Sequence, residues 1–270
     1  MRRVLAISAL VLIGACAPVG ARVAPAPAAV TGEVRLSGYL DAETNARLGR
    51  ETPLPPEPGS AAERMDREAT AELYAAYGPG SPRWTLAQHQ AEIELPLALA
   101  HFDCPLGTRL SEEPPPALVR LFTRALSDIS ASARVAKARM FRARPFVDDA
   151  AIQTCIQVDE TYRTNSSAPS SHATAGIVFG MIMADAAPDQ AAALQLRGEA
   201  IGASRLVCGL HYAADVSAGQ ALGEALFAQI SVTPTYQADL ADARVELAAA
   251  RALGRTNPTC AAERLALGLN

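Results

Sequence analysis

The stretch Ala173 to Ala184, ATAGIVFGMIMA, carries no charged side chain and no polar group except Thr174. Over about three helical turns it is apolar on every side, so as a helix it has no face to offer water and must be wrapped by other elements. It falls short of the ~20 residues needed to cross a bilayer. The chain must therefore supply a shell of amphipathic partners, and its patterning does so. Leu118, Leu121, Phe122, Ala125, Ile129, Ala133, Ala136 and Met140 recur at helical spacing. Pro114-Pro115-Pro116 opens that helix and Pro145 is expected to close it. Residues 61–76 and 85–101 carry helical periodicity. A shorter helix is expected over 189–201, and another over 208–229 with small residues on one face. Alternating strand patterns are absent. The predicted class is all-α, a compact single-domain helical bundle over residues 61–270.

The N-terminus has a different character. Arg2 and Arg3 precede the apolar run Val4–Ile13, then Ile13-Gly14-Ala15-Cys16. A short positive segment, a short apolar segment and small residues before a cysteine predict an export signal over 1–15, with Cys16 as a lipidated residue. Residues 16–60, rich in Pro and Ala, are expected to form a tether and an extended segment. The protein is then periplasmic or outer-membrane-anchored, and the lipid anchor is its expected membrane contact. Cys104, Cys155, Cys208 and Cys260 form an even set, which in an exported protein points to two disulfides. Three pairings are open; Cys104–Cys155 with Cys208–Cys260 is the expectation. Only Cys208 and His211 have ligand-like spacing, so no metal site is predicted.

Composition narrows the function. The net charge of −4 argues against a nucleic-acid partner. Of the 24 basic residues only Lys137 is a lysine, and the four histidines are His89, His101, His172 and His211. Rare residue types inside a motif carry more weight than common ones. Lys137 and Arg144 are seven residues apart, so on one continuous helix they share a face about 10 Å apart. Two cations on one side can converge on an anion, and arginine offers a planar fork to phosphate oxygens. Pro169-Ser170-Ser171-His172 runs straight into the apolar helix. Serines there are N-caps, and a helix N-terminus also favours anions. His211 and Asp215 are four apart, so on one helix face they can pair, the carboxylate fixing the imidazole tautomer. Arg205 is six residues before His211 and cannot share its face on a regular helix. Ser204-Arg205 is therefore expected in the turn before it. No G-x-S-x-G, phosphate-binding glycine loop, HExxH or GxGxxG motif is found.

Taken in order, these segments match K-x6-R-P, P-S-G-H and S-R-x5-H-x3-D, with Ser171 at the glycine position. The chain thus resembles the superfamily of type 2 phosphatidic acid phosphatases and vanadium haloperoxidases. It is similar in particular to the bacterial class A non-specific acid phosphatases, also through Gly38-Tyr39-Leu40, Leu54 to Ser60 and Arg144-Pro145-Phe146. The resemblance covers roughly residues 38–230. It implies hydrolysis of small-molecule phosphate monoesters through a phosphohistidine, with phosphotransfer as a side activity, and no metal or cofactor. It implies His211 as nucleophile, Asp215 as its orienting carboxylate and a charged His172 as general acid. Lys137, Arg144, Ser170, Ser171 and Arg205 would bind the phosphate. It also implies a homo-oligomer. The alternatives are a catalytically impaired phosphate-binding envelope protein, which Ser171 keeps in view, and a vanadium-dependent haloperoxidase.

Overall fold

The computed structural model describes residues 36–269; the export segment and Cys16 lie outside them. Within Leu36–Asn270, a single compact unit, the described residues are helical and contain no strand. In chain order the helices are α1 (Ala42–Glu51), α2 (Ala61–Tyr77), α3 (Pro82–His89), α4 (Asp103–Leu106), α5 (Pro116–Ala138) and α6 (Pro145–Asp148). They continue as α7 (Glu160–Thr164), α8 (Ser171–Ala186), α9 (Ala191–Val207), α10 (Ala213–Ile230), α11 (Pro234–Ala252) and α12 (Cys260–Ala266). None of these is long and apolar enough to cross a membrane.

The apolar stretch is α8, and it is the axis of the bundle. Twelve of its sixteen residues are buried. Helices α5, α9, α10 and α11 all pack against it. Phe179 of α8 stacks on Phe122 of α5, with ring centroids 4.0 Å apart. Helix α9 comes closest because glycines face each other. A Cβ on Gly176 would strike the carbonyl oxygen of Gly198, and one on Gly198 would strike that of Gly176. Gly219 serves α10 in the same way, since a Cβ there would run into the carbonyl of Ser170. Here the small residues expected on one face of α10 bring its backbone against the start of α8.

Several local expectations are corrected. The stretch 16–60 is not extended throughout, because Asp41 caps α1 by accepting from Thr44 N at 2.7 Å. The helix expected over 85–101 is broken: α3 ends at His89, and a 3-10 turn occupies Leu97–Phe102. Helix α5 stops at Ala138, well before Pro145, and Met140 lies beyond it. The disulfides are Cys104–Cys260 and Cys155–Cys208, with Cα–Cα separations of 5.4 and 4.7 Å, rather than the expected pairs. Long-range folding decides this. Helix α12 returns to the α4 end of the bundle, and the 149–158 loop lies on the end of α9, where Cys155 N donates to Cys208 O at 3.4 Å.

Candidate active site

Three chain reversals meet at one end of the bundle. The first follows α5, where residues 139–144 leave the helix and Arg144 becomes the N-cap of α6. Lys137 and Arg144 are therefore not on one helix; a loop turns the arginine back toward the lysine. The second is the approach to α8. Ser170 caps that helix, its Oγ accepting from Ala173 N at 3.3 Å, and Ser171 and His172 are the first two helical residues. The third lies between α9 and α10. Ser204 and Arg205 sit in the last turn of α9, not in a turn outside it, and His211 lies just before Tyr212, the N-cap of α10. His211 and Asp215 meet across a helix start rather than along a helix face.

His211 is buried and its two ring nitrogens have distinct partners. Arg144 Nη1 lies 2.9 Å from Nε2. A guanidinium only donates, so Nε2 accepts and Nδ1 carries the proton. Nδ1 faces Ser167 Oγ at 3.3 Å and Asp215 Oδ2 at 3.7 Å. Burial, then the Arg144 charge, lowers the His211 pKa to about 3, with Asp215 pulling the other way. The imidazole is thus neutral, with its lone pair on Nε2. Asp215 is fully buried. Burial alone would raise its pKa, but His211, Arg142 and Ser167 outweigh that and hold the carboxylate at about 2.

Two further buried cations, Lys137 and Arg205, accompany Arg144 in this part of the fold. Arg205 is completely buried, and none of its three guanidinium nitrogens has a hydrogen-bond partner among the described residues. Burial draws its pKa down to about 10, with Tyr162 opposing and Arg144 adding to the effect. Lys137 donates from Nζ to the Ser166 carbonyl at 2.6 Å. Burial, then the Arg144 charge, depresses it to about 7, against the pull of Asp215. Arg144 lies over the Tyr162 ring, 5.2 Å from its centroid. Its other side-chain bond is to the carbonyl oxygen of Leu210 at 3.1 Å. An arginine cluster of this kind needs an anion to offset its desolvation.

His172 differs from expectation. Its Nε2 donates to the Ala91 carbonyl at 3.0 Å, which leaves the lone pair on Nδ1. Burial, then the charge of Arg205, pushes its pKa well below the usual histidine value, so by itself it is neutral rather than charged. Ser171 takes the glycine position without strain, since no non-glycine among the described residues has positive φ. A cavity of about 520 Å³ shares Lys137, Ser166 and Ser171 with the site and runs along α5 past Ala133 and Arg134 to the exposed ring of Phe141.

Sequence reading missed Arg142, Ser167, Asp66 and Tyr162. Arg142, two residues before Arg144, had the same visible signal as any arginine of that basic run. Nothing local marked the others. Ser204, part of the S-R motif, is structural: it accepts from Arg83 Nη1 at 2.7 Å, and its hydroxyl bonds the side-chain oxygen of Gln90.

The PAP2 superfamily profile matches residues 117–238, a span that contains every motif residue from Lys137 to Asp215. The non-specific acid phosphatase of Salmonella typhimurium is 36% identical over 201 residues, covering 72% of this chain and 78% of the relative. That of Salmonella typhi is 34% identical over 198 residues with the same coverage. An acid phosphatase of Zymomonas mobilis is 36% identical over 179 residues, 66% of this chain and 67% of the relative. With the motif residues gathered around one neutral histidine, and with identity of this extent, the chain belongs to the non-specific acid phosphatase family of the PAP2 superfamily.

Proposed function

We propose that this protein hydrolyses small-molecule phosphate monoesters with His211 as the nucleophile. The observation that carries the reading is an unprotonated His211 Nε2 facing Arg144 Nη1 at 2.9 Å, in a chain whose Arg205 guanidinium is buried without a hydrogen-bond partner among the described residues. Lys137, Arg144 and Arg205 bind the phosphoryl oxygens, with Ser170, Ser171 and the N-terminal amides of α8 beside them. Nε2 attacks phosphorus, the P–O bond to the leaving group breaks, and a phosphohistidine forms. The proton on Nδ1 stays shared with Asp215, which stabilises the charged imidazole.

His172 protonates the leaving oxygen. Because it starts neutral, its proton must arrive with the substrate. A monoanionic ester brings one, and a bound phosphate offsets the Arg205 charge that adds to burial in holding His172 neutral. The nitrogen free to carry that proton is Nδ1. In the second half, neutral His172 takes a proton from water, the hydroxide oxygen bonds to phosphorus, the P–N bond breaks, and orthophosphate leaves with the proton that His172 gives back. The leaving group lies in the cavity that shares Lys137 and Ser171. Trapping a phosphohistidine at residue 211 by rapid acid quench and peptide mapping tests the reading; a phosphorylated residue elsewhere, or none during turnover, overturns it.

We further propose export, with removal of residues 1–15 and acylation of Cys16. The support is the Ile13-Gly14-Ala15-Cys16 sequence after a short apolar run. Two acyl chains give stable anchoring. Palmitate labelling that is lost in Cys16→Ser supports the reading, and a mature N-terminus downstream of residue 16 overturns it.

A further inference from the structure

We propose that Arg142, held in place by Asp66, is a positioning residue that orients Asp215 toward His211. The inference rests on the hydrolytic reading above and concerns how its nucleophile is held.

Both terminal nitrogens of the Arg142 guanidinium are committed to carboxylates. Its Nη1 donates to Asp215 Oδ1 at 2.7 Å and its Nη2 to Asp66 Oδ2 at 2.6 Å. Its guanidinium lies 4.3 Å from the centroid of the Tyr212 ring. Arg142 and both carboxylates are buried, so neither ion pair is a loose surface contact. Arg144 and Arg205 differ in this respect: neither is paired with a carboxylate among the described residues, and Arg144 is turned to His211 Nε2.

A carboxylate has two oxygens, and here they are divided. Oδ1 is taken by Arg142. Oδ2 accepts from Ser167 Oγ and, at 2.9 Å, from Tyr212 N, and it is the oxygen that faces His211 Nδ1. With Oδ1 anchored, the carboxylate cannot rotate and offer His211 a different geometry. The guanidinium also supplies the cation that keeps a buried Asp215 ionised.

Asp66 links this contact to the frame. Its Oδ1 accepts from Ala214 N at 2.7 Å, and Thr70 of the same helix accepts from Ala213 N at 3.0 Å. Helix α2 thus satisfies two free amides at the start of α10. Through Asp66 it holds both Arg142 and the turn that bears His211. The chain of contacts runs from α2 through Arg142 and Asp215 to the nucleophile.

The test uses the full-length protein and an aryl phosphate monoester. Arg142→Gln is expected to lower kcat about 10- to 100-fold, by analogy with losing the outer partners that orient metal-ligating histidines. KM and the competitive inhibition constant of orthophosphate should stay within about twofold, because no phosphate contact is lost. Arg142→Lys should restore most of kcat by returning a cation to Asp215. An unchanged kcat in Arg142→Gln overturns the proposal. So does an inhibition constant that worsens in step with kcat, since Arg142 would then bind phosphate. If Arg142→Gln shows no cooperative thermal transition, Asp66→Asn decides. A lower kcat with unaltered orthophosphate inhibition supports the proposal, and an unchanged kcat overturns it. Phosphohistidine trapping on the wild type in the same series separates failure of this inference from failure of the hydrolytic reading.

Discussion

Arg144 Nη1 stands 2.9 Å from the Nε2 of His211, on the lone pair proposed to attack phosphorus. On the proposed mechanism, a phosphate-binding arginine therefore doubles as a guard on the nucleophile. It selects the tautomer and suppresses protonation, and in the proposed reaction it would transfer its N–H to a phosphoryl oxygen before attack. Arg144→Ala should raise the His211 pKa from about 3, while burial still holds it below the ordinary 6.5. Histidine-selective NMR titration measures this. Orthophosphate inhibition should weaken in the same variant by about tenfold or more, the scale of a lost hydrogen bond to a charged group. A His211 titration that does not move would show that Arg144 does not set its state.

His211→Ala should abolish turnover with the helical fold intact, by circular dichroism. His172→Ala should harm alkyl phosphates more than aryl phosphates, because an aryl oxide leaves with less protonation. Equal losses on both substrates would remove His172 as general acid.

Lys137 gives a pH signature. Its pKa of about 7 means that the ammonium is charged below that pH and neutral above it. If Lys137 binds phosphate as proposed, orthophosphate should inhibit less well as pH climbs through 7. Bound phosphate should raise the Lys137 pKa and favour proton uptake on binding. In Lys137→Gln the inhibition should be weaker and this part of its pH dependence lost. Inhibition constants measured from pH 5 to 9 decide it.

Ser171 occupies an ordinary helical position, and its side chain borders the 520 Å³ cavity rather than a tight backbone contact. Ser171→Gly should therefore change kcat/KM for an aryl phosphate by no more than about threefold, below the ~1 kcal/mol typical of a net hydrogen bond. A large gain in activity would show that the hydroxyl obstructs the phosphate.

The Cys155–Cys208 bridge, 53 residues apart in sequence, ties the loop before α7 to the end of α9. Replacing both cysteines with serine should lower stability by about 3–4 kcal/mol through the freed unfolded chain. Chemical denaturation of the variant against the wild type, both without reductant, reads that loss.

The proposed catalytic set could be read from the sequence because its chemistry depends on residue types that are scarce here. The only lysine and two of four histidines lie at the right spacing from Arg144, Arg205 and Asp215. The bundle was legible because α8 is apolar on all sides and the Leu118–Ala136 stripe repeats at helical period. Those properties are local, and a chain displays local properties in order.

What only the tertiary structure decided is how the residues face each other. Spacing alone put Lys137 with Arg144, and His211 with Asp215, on single helices. In the folded chain a loop or a helix start separates each pair, because α5 ends at Ala138 and α10 begins at Ala213. The partners of Asp215 come from afar: Arg142 is 73 residues away and Ser167 is 48. Asp66 reaches Arg142 across 76 residues, and Cys104 reaches Cys260 across 156. A buried carboxylate must find a cation, and a buried helix start must find acceptors. The sequence states that need, but only the packing of α2, α8 and α10 against one another determines which distant side chain meets it.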